Sequence, residues 1–70
     1  MSYVAGFISQ EGELGRTFWS NTNREAVDKI ALLVEELKDD EAMDYGLEKL
    51  LHDCVITTKL GHYFIGSLES

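Results

Sequence analysis

Thr22–Leu37, TNREAVDKIALLVEEL, is the stretch that decides the fold, because it has the strongest helical pattern in the chain. Thr22 precedes Glu25 by three residues, the spacing of a capping box, in which hydroxyl and carboxylate each accept from an orphan amide. Glu25 and Lys29 lie four residues apart in the favourable order. The apolar residues recur at helical spacing and predict one amphipathic helix, with Val27, Ile30, Ala31, Val34 and Leu37 on its buried face.

The apolar stripe of this helix is wider than one face, because Leu32 and Leu33 lie beside it. A helix with so wide an apolar arc usually has more than one surface covering it. In a chain this short, another copy of the chain is one way to supply the second cover.

The length and the cysteine count favour self-association. A single domain of 70 residues buries only about 60% of its unfolded surface. Domains of this size often add disulfides, a metal or self-association. The one cysteine, Cys54, excludes an internal disulfide, and His52 and His62 are the only other soft ligands. The sequence therefore predicts a homodimer without a metal or other cofactor.

The location predicted for the protein is the cytoplasm. The first nine residues, MSYVAGFIS, have no basic region and no long apolar run, so they do not resemble a signal peptide. The longest apolar run, Ile30–Val34, is too short to span a membrane. A lone cysteine fits a reducing compartment. We expect a soluble protein with no membrane partner.

The first twenty residues predict a β-hairpin. Tyr3–Ser9 and Leu14–Ser20 are rich in aromatic and β-branched residues, as strands are. Between them, Gln10–Glu13 is polar and centred on a glycine, which is typical of a turn. Gly6 and Gly15 weaken the strands and indicate bulges or close backbone approach.

A second helix is predicted from about Glu41 to His52. Asp39–Glu41 is acidic, and carboxylates stabilise the first turn of a helix but oppose the dipole at its end. Gly46 lies inside this helix at a cost of about 1 kcal/mol relative to alanine, which favours close packing of another element there. The predicted buried face consists of Met43, Leu47, Leu50, Leu51 and Cys54.

The last segment predicts a second β-hairpin, with strands over Cys54–Lys59 and His62–Leu68 and a positive φ at Gly61. The last three residues are expected to form a short frayed tail. A three-residue loop over 59–61 assigns Cys54, Ile56, Phe64 and Leu68 to one face, and Val55, Tyr63 and Ile65 to the other.

Both faces of the predicted sheet are substantially apolar, whereas a sheet exposed on one side normally alternates apolar and polar residues. A second apolar face points to an oligomer or to a docked partner. The residues predicted to form the oligomer interface are Trp19, Tyr63 and Ile65.

Acidic residues cluster from the last turn of the first predicted helix into the second predicted helix: Glu35, Glu36, Asp39, Asp40, Glu41, Asp44 and Glu48. In one interpretation the helix breaks near Asp39, and the acids are caps and a solvated face. In the other, an unbroken helix places Glu36, Asp40, Asp44 and Glu48 in one row about 6 Å apart. Such a row imitates a nucleic-acid backbone and engages a basic groove on a partner protein.

The charge balance limits the partners. Thirteen acidic against six basic residues give a net charge of −7, which argues against direct nucleic-acid binding. It is compatible with binding a basic protein surface. In size, acidity and lack of catalytic motifs, the chain is similar in composition to small inhibitor or accessory proteins of phages and other mobile elements, some of which imitate nucleic acid.

The sequence thus predicts one α+β domain over residues 1–70: hairpin, two helices, hairpin, with an antiparallel sheet and both helices on one of its faces. The predicted function is non-enzymatic. The first hypothesis is a protein-binding inhibitor or regulator that occupies a partner's basic surface through the acidic cluster. The second is a homodimeric structural or assembly protein that works through its apolar sheet face. A third, an enzyme or small-ligand binder with a site between subunits, has no supporting motif.

Overall fold

The chain folds into two layers, a four-stranded antiparallel sheet and a layer of helices on one of its faces. The computed structural model describes residues 2–68. Of the predicted tail, Leu68 ends the last strand, and residues 69–70 lie outside the described part. This architecture confirms the predicted fold class. The elements are β1 Ser2–Ser9, β2 Leu14–Ser20, α1 Asn23–Leu37, α2 Asp40–Tyr45, a 3-10 turn Leu47–Lys49, α3 Leu50–Asp53, β3 Val55–Thr57 and β4 Gly61–Leu68.

The sheet order is β2-β1-β4-β3, so the first and last strands form the central pair. Both predicted hairpins are present as β1–β2 and β3–β4. The pairing of β1 with β2 is shifted between Gly6 and Ile8. A Cβ on Gly6 would lie only 2.8 Å from the Arg16 carbonyl oxygen. The close backbone approach predicted at this glycine is confirmed.

Helix α1 begins where the capping-box spacing predicts. The Glu25 amide donates to Thr22 Oγ1 at 3.1 Å, and Lys29 Nζ lies 3.5 Å from Glu25 Oε1. The helix packs on β1, β2 and β4 and buries one stripe. Leu37 is exposed, so its predicted place on the buried face is wrong, and Leu32 is exposed as well. The buried members of the helix are Ala26, Val27, Ile30, Leu33 and Val34.

The second predicted helix is wrong as a continuous element. Asp39 caps it as predicted, but α2 ends at Tyr45 and is followed by Gly46, whose φ is +81°. A Cβ there would meet nothing within 4 Å, so Gly46 provides the positive φ and does not make room for a neighbouring element. The break rotates the two halves relative to each other. Leu50 is buried, whereas Met43 and Cys54, predicted to be buried with it, are exposed.

The second hairpin has a shorter loop than predicted. Thr58 and Gly61 exchange backbone hydrogen bonds of 2.8 and 3.2 Å, which leaves Lys59 and Leu60 as a two-residue loop. Gly61 has the predicted positive φ, but it starts β4. The pairing is therefore shifted by one residue, and a one-residue shift moves every side chain of β3 to the other face. Ile56 pairs with Tyr63, where the prediction grouped it with Phe64.

Tyr63 and Ile65 face the helices, with exposures of 0% and 5%. Their predicted role in an oligomer interface is therefore wrong, because they lie in the core of the same chain. The ring of Tyr63 packs against Phe7 with centroids 4.8 Å apart. Trp19, the third residue of that prediction, is 66% exposed.

Candidate functional site

The sheet face that points away from the helices is called the open face below. Strand pairing brings residues of all four strands onto it, with one shift of register between β1 and β2. Val4 pairs with Trp19 on one side and with Gly66 on the other. The open face consists of Ser2, Val4, Gly6, Ile8, Leu14, Thr17, Trp19, Val55, Thr57, His62, Phe64, Gly66 and Leu68.

The apolar residues of the open face include four with large exposed side chains: Leu14, Trp19, Val55 and Leu68. Val4, Ile8 and Phe64 add half-buried apolar surface between them. An antiparallel sheet with one face in water normally places polar residues there. The prediction that both faces are substantially apolar is confirmed.

The open face has no Asp, Glu, Lys or Arg. Within the four strands as described, Arg16 is the one such residue, and it lies on the helix side. There it pairs with Glu36 of α1, and its guanidinium stands 5.9 Å from the ring centroid of Phe18. His62, the titratable residue of the open face, has Nδ1 2.8 Å from Thr57 Oγ1 on the neighbouring strand. Among residues 2–68, the charged side chains are thus excluded from this sheet face.

The open face has an exposed aromatic residue at one edge and two glycines at its centre. Trp19 stands on the edge strand β2, where Lys29 Nζ donates to its backbone carbonyl from the helix side. The ring of Phe64 covers Gly6, since Phe64 Cζ lies 3.0 Å from the position of a Cβ there, and Val4 Cγ1 lies 3.8 Å from that of a Cβ on Gly66. The face therefore presents its most exposed aromatic ring at the β2 edge.

The acidic cluster does not form a continuous row. Lys38 adopts a left-handed conformation, with φ 55° and ψ 43°, and separates α1 from α2. The second break at Gly46 separates Glu48 from α2. The interpretation in which the helix breaks near Asp39 is therefore confirmed, and the single row of four acids is wrong.

Three exposed or half-buried acids of the cluster are engaged by the chain itself. Glu36 pairs with Arg16. Glu48 accepts two hydrogen bonds from Arg24, at 2.7 and 3.0 Å, and the bonded guanidinium lowers the pKa of Glu48. Glu41 accepts from the Lys59 amide at 2.8 Å. Three are exposed, and their carboxylates form no hydrogen bond or ion pair with another residue of the range 2–68: Glu35, Asp40 and Asp44.

Asp39, predicted as part of a partner-binding acidic face, is 4% exposed, so this assignment is wrong. Its Oδ1 accepts from the Ala42 amide at 3.2 Å, and its Oδ2 accepts from Thr58 at 2.7 Å and from Tyr63 at 2.8 Å. Burial opposes ionisation, but these hydrogen bonds outweigh it and lower the pKa of Asp39. The same burial, with the adjacent carboxylate, raises the pKa of Tyr63.

The sequence signal for this network is partial. An aspartate before a helical segment predicts the cap, and Asp39 was predicted as one. The partners Thr58 and Tyr63 lie on the second hairpin, far along the chain, and no local pattern points to them. The network joins the start of α2 to the sheet and has a structural role.

The described residues contain no group of three or more His, Cys, Asp or Glu side chains arranged to hold a metal ion. Within the same range, no helix is both long and apolar enough to cross a membrane.

Together these features define a class: a two-layer α+β domain with its charges on the helix layer and the loops and an uncharged apolar surface on the open face. Comparisons with protein-family models, curated proteins and solved structures gave no significant match.

Proposed function

We propose that this chain is a non-enzymatic protein-binding module of structural or assembly type whose working surface is the open face. The observation that supports the proposal is the absence of Asp, Glu, Lys and Arg from that face in a chain of net charge −7. The lone exposed Cys54 supports the cytoplasm as its location, because thiols stay reduced there.

The composition of the open face is that of an interface core. Such cores are depleted of charged residues and enriched in aromatic ones, and contiguous exposed apolar patches mark interaction sites. Trp19 has the properties of a hot spot, since tryptophan is among the residue types that dominate binding energy. Burying its exposed ring contributes about 1.5–3 kcal/mol.

Position-specific photocrosslinking tests this proposal. A benzoylphenylalanine replaces Trp19 in one variant and Leu32 in a matched control, because these side chains are 66% and 64% exposed on opposite layers. In lysate of the cells that produce the protein, we expect at least a tenfold higher yield of crosslinked protein from position 19. Equal yields from both positions, or a higher yield from position 32, would contradict the proposal.

A second candidate function is the inhibitor or regulator that occupies a basic surface of a partner protein. The observation that favours it is the group of free exposed acids around the α1–α2 junction: Glu35, Asp40 and Asp44. Their carboxylates form no ion pair with the described residues, so they are available to cations on a partner. Acids already paired inside the chain, such as Glu48, contribute less to this surface.

Neutralising these three acids separates the two candidates. The triple variant Glu35→Gln, Asp40→Asn, Asp44→Asn is immobilised beside the wild type and beside Trp19→Glu, and bound proteins are eluted on a salt gradient. Under the inhibitor function, the triple variant loses the salt-eluted proteins, with affinity lowered about tenfold or more at low salt. If the triple variant binds the same proteins as the wild type and Trp19→Glu does not, the inhibitor function is excluded.

A further inference from the structure

We infer that the occupant of the open face is a second copy of the same chain, packed sheet against sheet. This inference rests on the proposed function and identifies the partner. It follows from the distribution of charge, from the size of the sheet and from the shape of the open face.

Charge distribution allows two acidic copies to meet at this face. Two chains of net charge −7 repel each other wherever their acidic groups approach. The helix layer with its acids lies behind the sheet in each copy. Packed layers are about 10 Å apart, so the two helix layers of a face-to-face dimer are roughly 30 Å apart. This exceeds three Debye lengths at physiological ionic strength, where one length is about 8 Å, so the acids of the two helix layers are screened from each other.

The same distribution disfavours a partner selected by opposite charge. A basic protein would be attracted to the helix layer, where the exposed acids are. If it docked on the open face instead, its cations would have no carboxylate to pair with. An apolar, uncharged surface is the complementary occupant, because burying an unpaired charge is costly. The chain itself presents such a surface.

The sheet is large enough for a dimer of moderate affinity. Strands β1 and β4 have eight residues each, β2 has seven and β3 has three. With a rise of about 3.3 Å per residue and a strand spacing of about 4.8 Å, the sheet covers roughly 400 Å². Side chains such as Trp19 increase the accessible area, so two copies bury roughly 1,000 Å². This value lies below the roughly 1,200–2,000 Å² of stable specific interfaces and is typical of weak ones, so we expect a dissociation constant in the micromolar range.

The shape of the open face suits a two-fold axis that runs between the sheets, parallel to β1 and β4. Such an axis places the β2 edge of one copy over the β3 edge of the other. The row of paired residues that begins at Trp19 continues through Val4 to Gly66. Strand β3 has no residue in that row, since Val55 pairs with Phe64. Each Trp19 therefore lies over the position beside the other copy's Gly66 where β3 has no residue, and the contact occurs twice.

Sedimentation equilibrium on the full chain tests this inference. We expect the wild type to approach twice its 7.9 kDa mass at roughly 100 µM. Trp19→Glu on β2 and Val55→Glu on β3 each raise the dissociation constant about 100-fold or more, because each substitution places two charges in one interface. The control Leu32→Glu, on the helix layer, changes it less than threefold. Circular dichroism verifies folding, and Trp19→Thr replaces Trp19→Glu if the latter is unfolded.

The variants exclude the other arrangements. If two copies pair through the β2 edge, Val55→Glu leaves the dimer intact, and the inference is wrong. Loss of the dimer in Leu32→Glu alone would place the contact on the helix layer and contradict it equally. A wild type that stays monomeric at about 1 mM also overturns it. In that case, crosslinks from position 19 to another protein would still support the proposed function. Their absence would contradict both the dimer and the proposed function.

Discussion

Replacing Asp39 with alanine is expected to lower the free energy of unfolding by about 3 kcal/mol or more. The substitution removes the cap of α2, which costs about 1 kcal/mol. It also leaves the buried hydroxyls of Thr58 and Tyr63 without their acceptor, at about 1–3 kcal/mol each. A chain of this length has a total stability of roughly 3.5–10 kcal/mol, so the substitution removes about a third or more of it.

Urea unfolding followed by circular dichroism measures this loss. Asp40→Ala is the matched control, because Asp40 is the next residue and its exposed carboxylate has no hydrogen-bonded partner among the described residues. Its cost is limited to the helix-dipole interaction, about 0.3–1 kcal/mol. Similar losses in both variants would show that the buried network contributes little. Tyr63→Phe isolates one hydroxyl and should cost about 1–2 kcal/mol.

The pH dependence of stability provides a second readout for Asp39. Its pKa is lowered in the folded chain, which means that the ionised carboxylate stabilises the folded state relative to the unfolded one. The resulting stability is fully present above the ordinary pKa of about 3.8 and is lost as the pH falls through the folded value. Compared with Asp39→Asn, the wild type should therefore lose more stability between pH 5 and pH 2. Parallel pH curves for the two proteins would argue against this coupling.

Replacing Gly61 with alanine is expected to disrupt the central pairing of the sheet. A Cβ at this position would overlap the carbonyl oxygen of Ile8 and stand 2.8 Å from the Cα of Ser9. Both are backbone atoms of β1, so no side-chain rotation relieves the overlap. The φ of +151° adds strain of its own. We expect a loss of more than about 3 kcal/mol, since the strands must separate to admit the methyl group.

Gly12→Ala is the control for this substitution. Gly12 also has a positive φ, of 86°, but nothing lies within 4 Å of its added Cβ. Its cost is the conformational strain alone, about 1 kcal/mol. The midpoints of thermal unfolding of the two variants show how much the backbone overlap costs beyond the conformational strain. If Gly61→Ala were no less stable than Gly12→Ala, the close approach of β1 to the start of β4 would not constrain the fold.

The parts of the fold that were predicted correctly are those with local signals. The cap at Thr22, the apolar spacing of α1 and the polar turn around Gly12 each involve residues within a few positions of one another. These signals suffice for two hairpins and one long helix, and hence for the fold class. Gly46 gave an ambiguous signal, because a glycine inside an apolar pattern can either be tolerated in a helix or end it.

The parts that were missed depend on contacts between distant segments. The face on which Tyr63 lies is decided by a single residue in the length of the β3–β4 loop, and Lys59 and Leu60 resemble no particular turn type. Asp39 looked like a surface acid because its two hydroxyl partners come from the other end of the chain. Of the predicted interface residues, Trp19 alone lies on the sheet face away from the helices. Its local signal is the alternation of a strand, in which Phe18 and Trp19 must point to opposite faces.

The exclusion of charged residues from the open face gives a single copy one apolar side and one acidic side. If two copies pair through the open face as proposed, dilution below the dissociation constant exposes the apolar side, and single copies are then expected to adsorb through it to plastic and to the air–water boundary. Substituting Trp19 with a charged residue should therefore raise the recovery of dilute samples, while the equally exposed Leu32 should have little effect.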